Sequence, residues 1–189
     1  MSKYIKSVLL KKNKPIILFL VKFFISYFLL LGIYSFYLNS SQVKKNSAFS
    51  CATITKDAAE QAAGIMRFFG YNSQVIQHDK ELSMKVLIND TYVARVIEGC
   101  NSVSVIILFL AFIIAFQGSV KATVIFGFFG SLLIYLTNLI RIAILSVGLY
   151  KYPKQETLFH DLIFPAIVYG MVFILWVIWV NKFSNYSKK

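Results

Sequence analysis

The stretch Val96–Phe116, VIEGCNSVSVIILFLAFIIAF, sets a short polar knot, Glu98-Gly99-Cys100-Asn101-Ser102, directly against an almost unbroken apolar run. The run from Val103 reads as a membrane-spanning helix, short by itself and extensible to Gln117. Its surroundings support that reading. The chain of 189 residues is 58% hydrophobic and has 18 phenylalanines and 11 tyrosines, which moves its class from soluble domain to integral membrane protein.

Three further spans follow from the requirement for about 20 apolar residues to cross the hydrocarbon core. The first is Pro15 to Tyr37, interrupted only by Lys22, whose long stem can snorkel toward the nearer interface. The polar turn QGSVKA follows the second span. The third span then runs from Thr123 to Tyr150 with Asn138 and Arg141 inside it, and the fourth from about Leu162 to Val180. The expected fold is therefore mainly α, a polytopic bundle of four transmembrane helices.

Charge placement orients the bundle. The first 14 residues, the 117–122 turn and the C-terminal tail carry lysines and no acid, whereas bases and acids nearly balance between residues 38 and 99. The positive-inside rule puts both termini and the turn in the cytoplasm, and the 38–99 segment and 151–160 loop outside. The first apolar run is too long for a cleaved signal peptide and no A-x-A site follows it, so it reads as an uncleaved signal anchor. Within the outer segment, Ala52–Phe69 has helical spacing with Gly70 as its stop, and Ser73–Ile97 alternates as strands around an Asn89-Asp90 turn. The chain thus divides into a basic N-terminus with its anchor helix (1–37) and an extracytoplasmic helix with a small antiparallel sheet (38–99). A three-helix membrane core (100–181) and a basic tail (182–189) complete it.

The net charge of +12 clusters around the apolar runs and forms no basic stripe with interleaved aromatics, which argues against nucleic acid. The only cysteines, Cys51 and Cys100, have neither CxxC nor metal-ligand spacing, so no metal and no cofactor are expected.

The topology brings three reactive groups to one membrane level. Cys100 lies at the outer start of the second helix, where unpaired N–H groups favour a thiolate. Asn101, Ser102 and Ser104 suit such a start. Arg141 falls in the outer half of the third span, about 30 Å above Lys121 at ~1.5 Å per residue. An intramembrane arginine costs at least ~2.5 kcal/mol and is a functional hypothesis by default. Asn138, one turn earlier, can orient its guanidinium. His160 opens the fourth helix on the same side. A thiol that attacks a carbonyl, a histidine that shuttles protons and a guanidinium that stabilises an oxyanion fit nucleophilic acyl transfer, with hydrolysis and transpeptidation equally open. Glu98 is expected to pair with Arg95, Arg141 or a substrate group.

The ordered set EGCNS at Glu98–Ser102, NLIRI at Asn138–Ile142 and FHDLIFPAIVYG at Phe159–Gly170 resembles the exosortase/archaeosortase family, in particular the short, Bacteroidetes-type exosortase F group. The resemblance implies a membrane cysteine protease/transpeptidase with Cys100 as nucleophile, Arg141 as oxyanion or substrate stabiliser and His160 as acid/base. Asn138, Glu98 and Asn101 would support them. It further implies an active site on the periplasmic face of the cell inner membrane and exported substrates whose C-terminal sorting tail combines a motif, a helix and a basic cluster. Besides the bilayer, an accessory membrane protein is a possible partner. Many family members carry glycine two residues after the cysteine, where this chain has Ser102, and many have more spans upstream. The competing expectation is a non-enzymatic assembly or export partner with a structural Cys51–Cys100 disulfide.

Overall fold

The computed structural model describes residues 2–45, 48–116, 118–153 and 164–183. Helix α1 runs Ser2–Ser41, longer than the expected span because it continues through Pro15 into the lysine-bearing N-terminus. A hairpin of β1 (Val43–Lys45) and β2 (Ala48–Ser50), which the sequence reading omits, leads into helix α2 (Thr53–Phe68). Strands β3 (Ser73–Gln77), β4 (Ser83–Ile88) and β5 (Thr91–Ile97) follow, then a 3₁₀ turn at Glu98–Asn101. Among the described residues three helices follow: α3 (Val103–Ala115), α4 (Val120–Lys151) and α5 (Phe164–Lys182).

The protein is mainly helical, and among the described residues three segments are long and apolar enough to cross a membrane: Lys14–Ser41, Val120–Lys151 and Pro165–Lys182. The second expected span is α3, whose 13 residues rise only about 20 Å against a core of about 30 Å. Helix α3 is the centre of the bundle nonetheless. Phe109 and Ile113 pack with Ile134 of α4 and with Val172, Leu175 and Trp179 of α5. Gly130 makes this possible, because a Cβ there would stand 2.4 Å from the Phe109 ring. The Trp179 indole donates to the Phe116 carbonyl at 3.1 Å, satisfying one of the carbonyls left open where α3 ends. Helix α1 lies along α3, with Phe19 4.5 Å from the Phe116 ring, and leaves Ile25, Phe28, Leu29 and Ile33 exposed as a lipid-facing surface.

Helix α4 has 32 residues, about 48 Å, longer than a hydrocarbon core of about 30 Å, and its last third packs against α2 and the sheet. Helix α2 is amphipathic, with Thr55, Ala58, Ala59, Ala62, Ala63 and Met66 buried at i, i+3, i+4 spacing. Its alanines let it lie close against the sheet, and a single core joins Met66 to Met84, Val86, Ile88 and Val96 and on to Ile142 and Ala143 of α4. Gly70 ends the helix as the sequence predicts. At φ +87° it allows the Gly70 amide to reach the Arg67 carbonyl and the Tyr71 amide to reach Met66, a complete Schellman motif.

The sheet is antiparallel in the order β3-β4-β5. Asn89 and Asp90 both take positive φ, as the two-residue turn joining β4 to β5 requires, and Asn89 donates to the Tyr150 hydroxyl at the end of α4.

Candidate active site

The 3₁₀ turn that carries Cys100 is where β5, α2, α1 and α4 meet, and its shape is set by buried polar contacts. Glu98 accepts the backbone N–H of Ala52 at 2.8 Å and the Thr55 hydroxyl, so its carboxylate sits at the N-terminus of α2 where it meets an orphan donor and the helix dipole. The expected pairings of Glu98 with Arg95 or Arg141 are not made. Arg95 pairs with Glu81 at 2.9 Å instead, because the start of α2 supplies stronger and nearer donors for Glu98.

Asn101 is fully buried and fully used. Its Nδ2 donates to the Tyr34 hydroxyl at 2.7 Å and to Thr55 Oγ1 at 3.0 Å, and its Oδ1 accepts the Val103 N–H at 3.0 Å, capping α3. Tyr34 and Thr55 were missed by the sequence reading. One lies in an apolar span and the other in an ordinary first turn, so neither carries a local signal.

Cys100 is half-buried and lies two residues ahead of the α3 N-cap, outside the first helical turn where the sequence places it. Its connection to α4 runs through the backbone. Asn138 Nδ2 donates to the Cys100 carbonyl at 2.7 Å, and Asn138 Oδ1 accepts from Arg141 Nη1 at 3.1 Å. Asn138 is 1% exposed, so this amide is a buried strut between the cysteine turn and the guanidinium. Among the described residues the buried Arg141 Nε has no hydrogen-bond partner, and no carboxylate lies within ion-pair distance of Arg141. A half-buried cation of this kind is a ready donor for an anionic group from outside the chain. Five of the six residues expected at the site thus converge: Glu98, Cys100, Asn101, Asn138 and Arg141. The sixth, His160, lies outside the described residues.

The turn is held in a conformation that suits glycine. Ser102, 2% exposed, has φ +64° and ψ −4°, in the left-handed region. That is the position at which glycine is common in the family resembled. Ser102→Gly is expected to stabilise the protein by roughly 0.5–1 kcal/mol, the relief of left-handed strain less the loss of the short Ser102 Oγ bond to the Asn101 carbonyl. Ser102→Val, β-branched at positive φ, is expected to destabilise it by about 2 kcal/mol. Thermal unfolding in detergent measures both.

Both cysteines are free thiols, so the Cys51–Cys100 disulfide is not formed. Cys51 is directed into the core between α2 and the sheet, where Gln77 Nε2 donates to its Sγ at 3.7 Å and Gln77 Oε1 accepts its N–H at 3.1 Å. Burial pushes the Cys51 thiol above its ordinary 9.0, the Gln77 bond offsets part of this, and the Glu98 charge adds to it. Unfolding frees that thiol to ionise first, so the stability from the buried neutral form is complete below pH 9.0 and declines as pH rises toward the native value. Maleimide at neutral pH is expected to label Cys100 and spare Cys51. The melting temperature of the wild type is expected to fall more steeply above about pH 9 than that of Cys51→Ala.

Compared with protein families, residues 16–180 match the family model described as transmembrane exosortase (Exosortase_EpsH). Comparison with curated proteins and with solved structures found no match. The matched range takes in every candidate site residue and all but the outermost two residues of the first and last apolar spans, with only short stretches at either end outside it. The chain belongs to the transmembrane exosortase family.

Proposed function

We propose that the protein is a membrane-embedded cysteine protease/transpeptidase of the short F-type exosortase group, cleaving C-terminal sorting tails of exported proteins at the periplasmic face of the inner membrane. Family membership implies a peptidase or transpeptidase type of enzyme. The assignment of roles to individual residues is our reading, and the observation that carries it is the Asn138 strut joining the Cys100 turn to Arg141.

In this reading the Cys100 thiolate attacks the scissile carbonyl carbon. The C–O π pair moves to oxygen, and Arg141, whose Nε has no partner among the described residues, donates to the resulting oxyanion. Collapse of the tetrahedral intermediate breaks the C–N bond, and His160 delivers the proton that the departing amine needs. The thioester left on Cys100 is then attacked by water or an amine, with His160 taking the proton of that nucleophile. Glu98 and Asn101 shape the turn, and both termini are cytoplasmic.

The direct test is to recover the acyl-enzyme. A hydroxylamine-sensitive adduct on the peptide containing Cys100, isolated from cells making a tailed substrate, is the expected result. Processing that continues with no such adduct, and with Cys100 shown to be unmodified, would rule out covalent catalysis by this residue.

A further inference from the structure

We propose that the free edge of β5 is the strand on which the substrate polypeptide pairs, bringing its scissile bond to Cys100; this deepens the peptidase reading and rests on it. In the order β3-β4-β5 the last strand has one neighbour, and among the described residues no strand pairs with its other side. Which backbone groups face outward follows from β4. The His78 N–H donates to the Ser83 carbonyl at 2.9 Å, so Ser83 turns its backbone toward β3 and is a non-hydrogen-bonded partner for Ile97. Lys85, two residues on, has the same relation to Arg95. Arg95 therefore presents its N–H and its C=O at the edge, and Ile97 its N–H. The Ile97 carbonyl is the first acceptor of the 3₁₀ turn.

Sheet edges are commonly blunted by charges and bulges. Here Tyr92 and Ala94 face the consecutive residues Leu87 and Val86, so Val93 is a bulge and regular pairing begins only at Ala94. The Arg95 guanidinium is held by Glu81 of the β3–β4 connection at 2.9 Å, and Ile97 is 44% exposed. The unguarded stretch is thus Ala94–Ile97, which leads straight into the turn that carries Cys100. At ~2 Å per residue of 3₁₀ turn, Cys100 lies about 6 Å beyond Ile97, roughly two residues of an extended chain.

The course of β5 sets the direction of pairing. Its start is tied to the end of α4 through Asn89 and Tyr150, and the turn after it is tied to Asn138. These attachment points are about 18 Å apart along α4. The chain then enters the bundle as α3. A substrate whose extended motif precedes its own membrane helix runs the same way, strand first, cleavage site next, helix last, so the pairing is parallel. In that pattern Arg95 N–H donates to one substrate carbonyl. The substrate residue two places on donates to the Arg95 carbonyl and accepts the Ile97 N–H. One substrate amide is bonded, and the amides on either side of it are not.

Ile97→Pro removes the edge donor while leaving the β4 ladder whole, and the Ile97 φ of −96° lies close to the proline range. The full-length protein in nanodiscs is given a synthetic peptide ending in a motif, an apolar helix and a basic cluster, with its cleavage site fixed by product mass. Ile97→Pro is expected to raise KM about tenfold, with kcat within twofold and the rate of Cys100 alkylation by iodoacetamide retained. Ile97→Ala keeps the N–H and is expected to raise KM threefold at most. A second measurement leaves the enzyme untouched: N-methylation of successive peptide amides before the cleavage site is expected to raise KM about tenfold at one residue and little at its two neighbours. Equal KM values for Ile97→Pro and Ile97→Ala, or a flat methylation profile, overturn the strand edge and leave the peptidase reading standing. A wild type that neither cleaves the peptide nor becomes acylated at Cys100 overturns the peptidase reading, and the strand edge with it.

Discussion

Cys100→Ala is expected to reduce processing of tailed precursors about 10⁴-fold or more, to background, while the protein accumulates in the membrane at its normal level. The two halves of this expectation have separate grounds. The residue's link to α4 is through its carbonyl, which alanine retains, so the strut to Asn138 survives the substitution. The side chain is half-buried and contributes only modest packing against the α2–sheet core, worth about 1 kcal/mol or less. What is lost is the sulfur nucleophile. Cys100→Ser is expected to be nearly as inactive, because a hydroxyl at this position lacks the intrinsic reactivity of a thiolate. Immunoblots of precursor and mature substrate, alongside the membrane level of the variant, measure both parts. Normal processing in Cys100→Ala would end the assignment.

The second large effect is expected at Asn138, a positioning residue. Asn138→Leu removes the donor to the Cys100 carbonyl and the acceptor for Arg141 together. Displacing the turn and the guanidinium by even an ångström is expected to slow processing about 10²-fold. The loss in stability is expected to be about 2 kcal/mol, because at this buried site the groups left behind have no water to turn to. Arg141→Leu is expected to cost 10²–10³-fold by loss of an oxyanion donor. Since Asn138 acts partly through Arg141 and partly on the Cys100 carbonyl, the double variant is expected to be slower than Arg141→Leu alone but by less than the product of the two losses, and fully multiplicative losses would show the two to be independent. Asn138→Asp separates the functions of the strut. It keeps an acceptor for Arg141 but sets a carboxylate oxygen against the Cys100 carbonyl, and is expected to remain impaired while Arg141 stays paired.

The sequence made the long helices and the sheet legible because each rests on a local signal. Apolar length marked α1, α4 and α5, alternation marked β3 to β5, and Asn89-Asp90 and Gly70 marked the turns that their positive φ values confirm. Helix α3 was legible as apolar and as short by itself, and it ends at Ala115, next to the Phe116 carbonyl that accepts the Trp179 indole N–H. Membrane depth put Cys100 and Arg141, with Asn138 one turn before it, at one level, but could not show that they come together laterally. Nor could the contacts of Glu98 be anticipated. Its partners Ala52 and Thr55 lie 46 and 43 residues away, and nothing in a lone glutamate says which helix start it will meet.

The bonds that set the cysteine turn also impose an order of events on a growing chain. Asn101 depends on Tyr34, 67 residues earlier, and the Cys100 carbonyl depends on Asn138, 38 residues later. The thiol therefore acquires its setting only after α1, the α2–sheet layer and α4 have all been synthesised and docked. A nascent chain stalled before Asn138 carries the cysteine but not its strut, so reactivity is deferred until the membrane unit is built.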